Sequence, residues 1–567
     1  MNERRALTPL PYEGSGPATA GSGEKPGNKN KSTLGTEDHE MINRRDMMKA
    51  GAALLGTAIV ARPGWALANA GKTLKFVPQA NLSILDPVFT TAAVSVTHGY
   101  CVFDTLYGVD NNLEPHPQMA EGATVSQDGL EWLITLRDGL VWHDGAPVTA
   151  ADCAASLDRW SQRDTFGQSL RDAAVAFEAA DDKTIRIRLK RAFPHLLSAI
   201  GKPHSSPAMM MPERIARTPP TEAVTEMIGS GPYRFIAEEY VSGSRVVYEK
   251  FEGYVPRSEP AEWTSGGKLA KFDRIEWHII PDAASATAAL QNGEVDWIEI
   301  ALPDLQPLLD AAPNVTVQRQ DPTGFAAYMR FNSHVAPFNN PKLRRAVLAA
   351  VDQAVYMNSI TGSNPNNWSD CKSMFPSTMP GVLSDDWGMM PADLEAARQM
   401  VAESGYAGEK VVILHPTDMA NLAPHGLITA DLLAKLGLNV ELQAMDWGTV
   451  TQRRQSKEPV ENGGWSIFHT NWPSASISNP ATNANVRGKG EAGWFGWYDD
   501  AALEQGVDDW LFASDPAVAK EAFERVQKLA MEGAPVVPLG VFYVNSGLSN
   551  ELSGVVPGSA SFFWNVA

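Results

Sequence analysis

The sequence predicts an α/β protein of two or more domains, and three observations carry that expectation. The chain has 567 residues, more than one hydrophobic core usually organises. Apolar residues make up 44% of it, enough for packed interiors and too many for a disordered chain. Strand-like and helix-like patterns alternate along its length, as they do where helices cross over between strands.

Asp128-Gly129 reads as a tight turn into a strand in which Trp132, Ile134 and Leu136 alternate; Asp138-Gly139 and Asp144-Gly145 are further turns. Thr149 and Asp152 have the spacing of a capping box, in which side chains satisfy the free N–H groups of a helix start. Over 183–190, Ile185, Ile187 and Leu189 fall on one face and charges on the other, a half-buried strand, and 274–280 alternates similarly. Residues 285–292 read as a helix closed by Gly293, which takes a left-handed cap at no steric cost. Asn340-Pro341 caps and opens a helix to about Val351, because proline's missing N–H is harmless in the first turn. Residues 429–436, Gly437 and 438–442 form a helix, cap and strand.

Ahead of this lies an address. Asn43-Arg44-Arg45-Asp46 precedes a short apolar run, 50–61, and then Ala66-Leu67-Ala68, the layout of a twin-arginine export signal over 41–68 cleaved near Ala68. The run is too short to span a bilayer. Residues 1–40, rich in Gly, Pro, Ser and Asn, read as a disordered extension or the product of an upstream start. The expected location is the periplasm, with no membrane insertion.

A net charge of −19 with no basic block excludes nucleic acid as a partner. Cys101, Cys153 and Cys371 are far apart without CxxC spacing, which argues against a disulfide framework or a zinc site; one bridge is open to them. The sequence lacks a GxSxG elbow, an HExxH helix, a GxxxxGK[ST] loop and a GxGxxG turn, and its 11 histidines are scattered. Catalysis and a cofactor are therefore not expected.

The stretch from Ala120 to Asp152 closely resembles the signature of the family 5 extracellular solute-binding proteins, the dipeptide, oligopeptide and nickel receptors of ABC importers. Ordered matches continue through Leu85-Asp86-Pro87, 103–107, 229–233, 290–296, Phe331-Asn332, 343–347, 393–406 and 534–539. The resemblance implies a two-lobed periplasmic binding protein fold (class II, large peptide-binding type) with two crossover hinge strands. Lobe I would hold 71–320 and 537–567, lobe II 321–536, and the hinge would lie around 321–331 and 535–539. It further implies a monomer that takes a small-molecule solute to the permease subunits of an importer.

Peptide-binding relatives carry an aspartate shortly after a Gly-Trp pair, where it meets the ligand's α-ammonium. Here Trp472 matches, but Ser474, Ala475 and Ser476 stand where the acid is expected. A buried ammonium without a carboxylate is costly, so a free-amine peptide is disfavoured. Arg487 is the one candidate for a carboxylate clamp. The expected pocket comprises Trp472 with His469, Asn471 and Ser474, Phe325 and Tyr328 at the hinge, Trp368, Trp494, and His98 and Tyr100 after the first strand. Core packing is the alternative role for each aromatic. Aromatic walls with a few amides and hydroxyls suit a peptide-like, opine-like or aromatic solute. A nickel complex or haem is the other family possibility, and a secreted hydrolase acting on peptides or glycosides is the rival from another class.

Overall fold

A computed structural model describes residues 71–362, 364–379 and 391–567. The extension and export signal expected over 1–68 lie outside them. Two large sheets organise the chain. The first has seven strands, with Thr73–Val77 parallel to Arg274–His278 on one side and to Trp297–Ala301 on the other. Parallel neighbours need a crossover, and helix Ala283–Gln291 supplies one between the last two strands. The expected cap, Gly293, is in the left-handed region at φ 72°. Arg274–His278 alternates buried and half-buried residues as its sequence predicts.

A four-stranded antiparallel sheet built from residues 120–189 extends from this half. Its strand Thr184–Leu189 buries Ile185, Ile187 and Leu189. Helix Ala150–Ser161 starts at the expected capping box: Thr149 N donates to Asp152 Oδ2 at 2.9 Å, and Asp152 N donates to Thr149 Oγ1 at 3.3 Å. His143, in the turn beside Asp144, is buried with Nε2 3.0 Å from Gly231 O; burial lowers its pKa to about 4.

The second large sheet has six strands in the order Trp368–Ser369, Val536–Phe542, Phe325–Phe331, Ile467–Pro473, Lys410–Pro416, Asn439–Met445. Asn340 caps helix Pro341–Ala350 as expected. The helix expected over 429–436 starts earlier, at Ala423, where Pro424 occupies its first turn.

The chain passes between the large sheets twice, over 320–324 and over 543–544. The second passage corrects the sequence reading. Strand Val536–Phe542 lies wholly in the six-stranded sheet, paired with Phe325–Phe331, so the return follows Phe542 rather than falling at 537. Gln320 N donates to Val544 O at 3.3 Å, which joins the two links. The C-terminal tail then packs Phe563 against Phe76, Trp277 and Trp297 at ring distances of 5.0, 6.0 and 5.5 Å, tying the chain's end to its first strand.

Three buried ion pairs lie in the first half: Asp86 with Arg159 at 2.7 Å, Asp104 with Lys268 at 2.7 Å, and Asp164 with Lys202 at 2.5 Å. Cys101, Cys153 and Cys371 are all buried, and no disulfide joins them. Among the described residues no helix is long and apolar enough to cross a membrane.

Candidate functional site

Strand Ile467–Pro473 sits inside the six-stranded sheet, antiparallel to Phe325–Phe331. Side chains alternate along a strand, so its residues divide between two faces. Phe468, Thr470 and Trp472 share one face with their register partners Arg330, Tyr328 and Ala326; His469 and Asn471 share the other with Met329 and Ala327. Adjacency in sequence had grouped His469 with Trp472, and the pleat separates them. His469 is fully buried under helix Ala423–Lys435, with Nε2 2.8 Å from Thr429 Oγ1 and its ring 6.0 Å from that of His425. Burial, then the neighbouring His425 and His415, hold its pKa well below the ordinary value. Asn471, near the strand's end, donates Nδ2 to Asn421 O at 3.2 Å, and its Oδ1 is buried with no partner among the described residues.

On the other face, half-buried Trp472 meets Trp494 at 5.5 Å, and Trp494 meets Phe468 at 5.5 Å. Two guanidiniums flank Trp494, those of Arg330 at 5.5 Å and Arg454 at 5.7 Å. Rings of Trp447, Phe468 and Phe495 also surround Arg454, at 5.5, 5.5 and 4.8 Å. Among the described residues neither arginine has a carboxylate within ion-pair distance, and burial lowers Arg330 to about 9 and Arg454 to about 10. Trp472 Nε1 is buried without an acceptor among the described residues. Tyr328, fully buried, donates its hydroxyl to Met374 O at 3.2 Å.

After Pro473 the chain makes a buried single turn, Ser474–Ile477. Ser474 N donates to Gly324 O at 2.9 Å, and Ser474 Oγ has no partner among the described residues. This turn and the residues after it form one wall of a cavity of ≈ 70 Å³ through Ser476, Asn479 and Thr482; Phe166, Lys202 and His204 of the first half also line it. His204 Nε2 is buried and unpartnered there, and burial lowers its pKa to about 4. A larger open furrow of ≈ 550 Å³ beside helix Ala150–Ser161 is further from this segment, and its Arg159 and Arg217 are held by Asp86 and Glu213.

The remaining expected residues are placed elsewhere. His98 is fully buried in helix Ala93–Val102, with Nδ1 2.8 Å from Tyr248 Oη, and burial lowers its pKa to about 3. Tyr100 donates to Pro203 O at 2.7 Å and packs its ring edge-on to Phe562. Both are interior groups of the first half. Phe325 stacks on Phe542 at 5.6 Å, and Trp368 pairs with Phe542 at the sheet edge. Arg487 is not available as a clamp: it forks onto Glu504, with Nε 2.8 Å from Oε1 and Nη2 2.6 Å from Oε2, and donates to Ala481 O. Arg454 escaped the sequence reading, and a run of aromatics at 494–498 was the available signal for it.

Among the described residues no group of three or more His, Cys, Asp or Glu side chains is placed to hold a metal. Two large sheets joined by a double crossing, with unsatisfied polar atoms where a strand end meets the opposite half, define a two-lobed binding protein. Residues 114–494 match the bacterial extracellular solute-binding proteins, family 5 middle. The chain is 39% identical over 536 residues to the probable peptide ABC transporter periplasmic-binding protein y4tO of Sinorhizobium fredii, covering 93% of this chain and 99% of that one. It is 27% identical over 524 residues to the glutathione-binding protein GsiB of Salmonella typhi, covering 88% and 94%. The periplasmic binding protein DppA of Helicobacter pylori, solved in complex with the peptide STSA, has the same fold, with a TM-score of 0.71 at 21% identity over 88% of this chain and 98% of that one. The chain belongs to the family 5 bacterial extracellular solute-binding proteins. It is a solute-binding component of an ABC importer and not an enzyme, which removes the hydrolase alternative.

Proposed function

We propose that this protein captures a peptide-like solute in the periplasm and hands it to the permease of an ABC importer. The lobes would be 71–320 with 543–567, and 321–542. The observation that carries the reading is Trp472: a half-buried indole with an unsatisfied N–H, followed at once by the buried Ser474 turn that faces the first half. A ring beside exposed peptide edges offers stacking area, and the free N–H an orienting contact. The names of the relatives, peptide and glutathione binders, point the same way. Closure is driven only by solute that prefers the closed arrangement. Export by the twin-arginine route completes the reading, and replacing Arg44-Arg45 by Lys-Lys then leaves the protein in the cytoplasm.

The test is native followed by denaturing mass spectrometry on residues 69–567 purified gently from the periplasm. One peptide mass per chain is expected. A stoichiometric opine, aromatic acid, haem or nickel complex overturns the peptide assignment.

A further inference from the structure

Between the turn that follows Trp472 and the first half lies the cavity of ≈ 70 Å³ that His204 lines. His204 is 3% exposed. Ser205 N donates to its Nδ1 at 2.8 Å, so Nδ1 presents the lone pair and the proton of the neutral ring sits on Nε2. That Nε2–H is buried with no acceptor among the described residues. Burial, then the charge of Lys202, keep the ring neutral by lowering its pKa to about 4. A buried donor left unmet is destabilising, so the ring is kept here by its surroundings. Its loop is pinned at three carbonyls: Tyr100 Oη donates to Pro203 O at 2.7 Å, Lys202 Nζ to Ser205 O at 2.5 Å, and Trp160 Nε1 to Ser206 O at 2.8 Å. Ser205 and Ser206 are both left-handed, at φ 53° and 62°, a conformation serine seldom adopts. Backbone held so firmly in an uncommon conformation is a mark of ligand clamps.

The second half meets this donor with polar, uncharged groups. Ser476 Oγ donates to Pro473 O at 2.7 Å, Ser478 Oγ to Ala475 O at 3.4 Å, and Thr482 Oγ1 to Asn479 O at 3.4 Å. Their protons are engaged within their own segment, and their lone pairs are left for an incoming donor. Asn479 Oδ1 accepts from Ala481 N and Thr482 N, both at 3.1 Å, which leaves its amide nitrogen as a second donor. Lys202 is answered by Asp164 at 2.5 Å, so its charge is already met. An ion entering this cavity would leave water without a counter-ion, and an apolar group would leave the Nε2–H unmet. The volume of ≈ 70 Å³ exceeds the about 10–15 Å³ that one water needs, so a group of a few non-hydrogen atoms fits. A primary carboxamide has that size, no charge, an acceptor oxygen and two N–H donors.

We propose that this cavity is a side-group pocket of the solute site and takes a primary carboxamide, whose oxygen accepts from His204 Nε2 while its N–H groups face the hydroxyl oxygens of Ser476 and Ser478. The proposal rests on the peptide-like reading above and deepens it: the solute carries an asparagine-like side group that enters beside Trp472.

The test uses calorimetry at pH 7.5 with alanine tripeptides carrying one Asn, Asp or Leu, three side chains of nearly one shape, at the first, second or third place. Wild type is compared with His204→Asn, which keeps an acceptor for Ser205 N and stops short of the Nε2 position. A second variant, Ser198→Leu, fills the cavity from helix Leu196–Gly201, where the Ser198 hydroxyl makes no hydrogen bond among the described residues. At one place the Asn peptide should bind wild type roughly tenfold tighter than its Asp and Leu counterparts, and in each variant that ratio should fall to about one. Histidine-selective nitrogen-15 spectra should show His204 protonated on Nε2, with that signal shifting when the Asn peptide binds. Should His204→Asn fail to fold, Ser198→Leu and the spectra decide. A ring protonated on Nδ1, a preference for Asp or Leu at every place, or an Asn preference that survives in the variants overturns the pocket and leaves the peptide reading standing. Failure of every tripeptide to bind wild type overturns both.

Discussion

The two halves of this molecule bury charge differently. Around the seven-stranded sheet, most deeply buried ions come in pairs, as Asp86 with Arg159 and Asp104 with Lys268, while Glu299 is held by Gln79 and Ser561. Around the six-stranded sheet, Arg330 donates to backbone carbonyls of Phe495, Asn485 and Pro535, Arg454 sits among aromatic rings, and Asp321 accepts from a neighbouring threonine; none of the three has an oppositely charged partner among the described residues. Arg487 with Glu504 is the exception. Paired charges fix a scaffold, because either ion alone is expensive to bury. Charges held by neutral groups keep part of their field for something that arrives later.

The largest effect should come from breaking a pair. Asp104 accepts from Lys268 Nζ and also, through Oδ2, from Tyr254 and Gln118. Asp104→Ala leaves the buried ammonium alone and should cost about 3–5 kcal/mol in urea denaturation; a loss below about 1 kcal/mol would dissolve the contrast.

Acid comes next. His143, His204 and His425 are buried neutral, each lowered to about 4, and His98 to about 3. The unfolded chain takes protons near 6.5 while the native state resists, so their contribution is complete above 6.5 and is lost as pH falls towards 4. Each group held at about 4 contributes up to about 3 kcal/mol over that range. Asp321 has the opposite sign: raised above its unfolded value, it favours the native state as pH falls through 6. Melting temperatures from pH 7.5 to 4.5 should therefore drop overall, and drop more steeply in Asp321→Asn. A flat profile would contradict the burial of these rings.

Trp472→Ala should weaken solute binding about 10- to 100-fold, the cost of a lost aromatic anchor, with an intact far-ultraviolet circular dichroism spectrum. Unchanged affinity would move the binding chemistry off this face. The smallest effect is expected for Arg454→Met, whose stability should stay within about 1 kcal/mol of wild type or rise, since no carboxylate is orphaned. A loss as large as that of Asp104→Ala would show that both halves bury charge alike.

The fold was legible where period and punctuation act locally. The alternation of Ile185, Ile187 and Leu189, the Thr149–Asp152 box and the Asn340 cap each state a geometry within a few residues. The 120–152 stretch supplied the family. The site was harder to read, because its neighbours are distant in sequence. Arg454 takes its rings from 447, 468, 494 and 495, and Arg487 finds Glu504 one helix later. His469 was misplaced by adjacency, which on a strand means opposite faces. The return at 543–544 was missed because strand Val536–Phe542 is apolar on both faces, so its burial says nothing about which sheet it joins.

The two links between the sheets are five and two residues long, and Gln320 fastens one to the other. Short tethers side by side act like the pins of a door: the leaves can swing but can hardly slide. Displacement in a swing grows with distance from the pins. A group on the pin line, as Gln320 is, therefore keeps its position while groups farther out sweep through an arc, and the last contacts to form on an enclosed solute would be those farthest from the links.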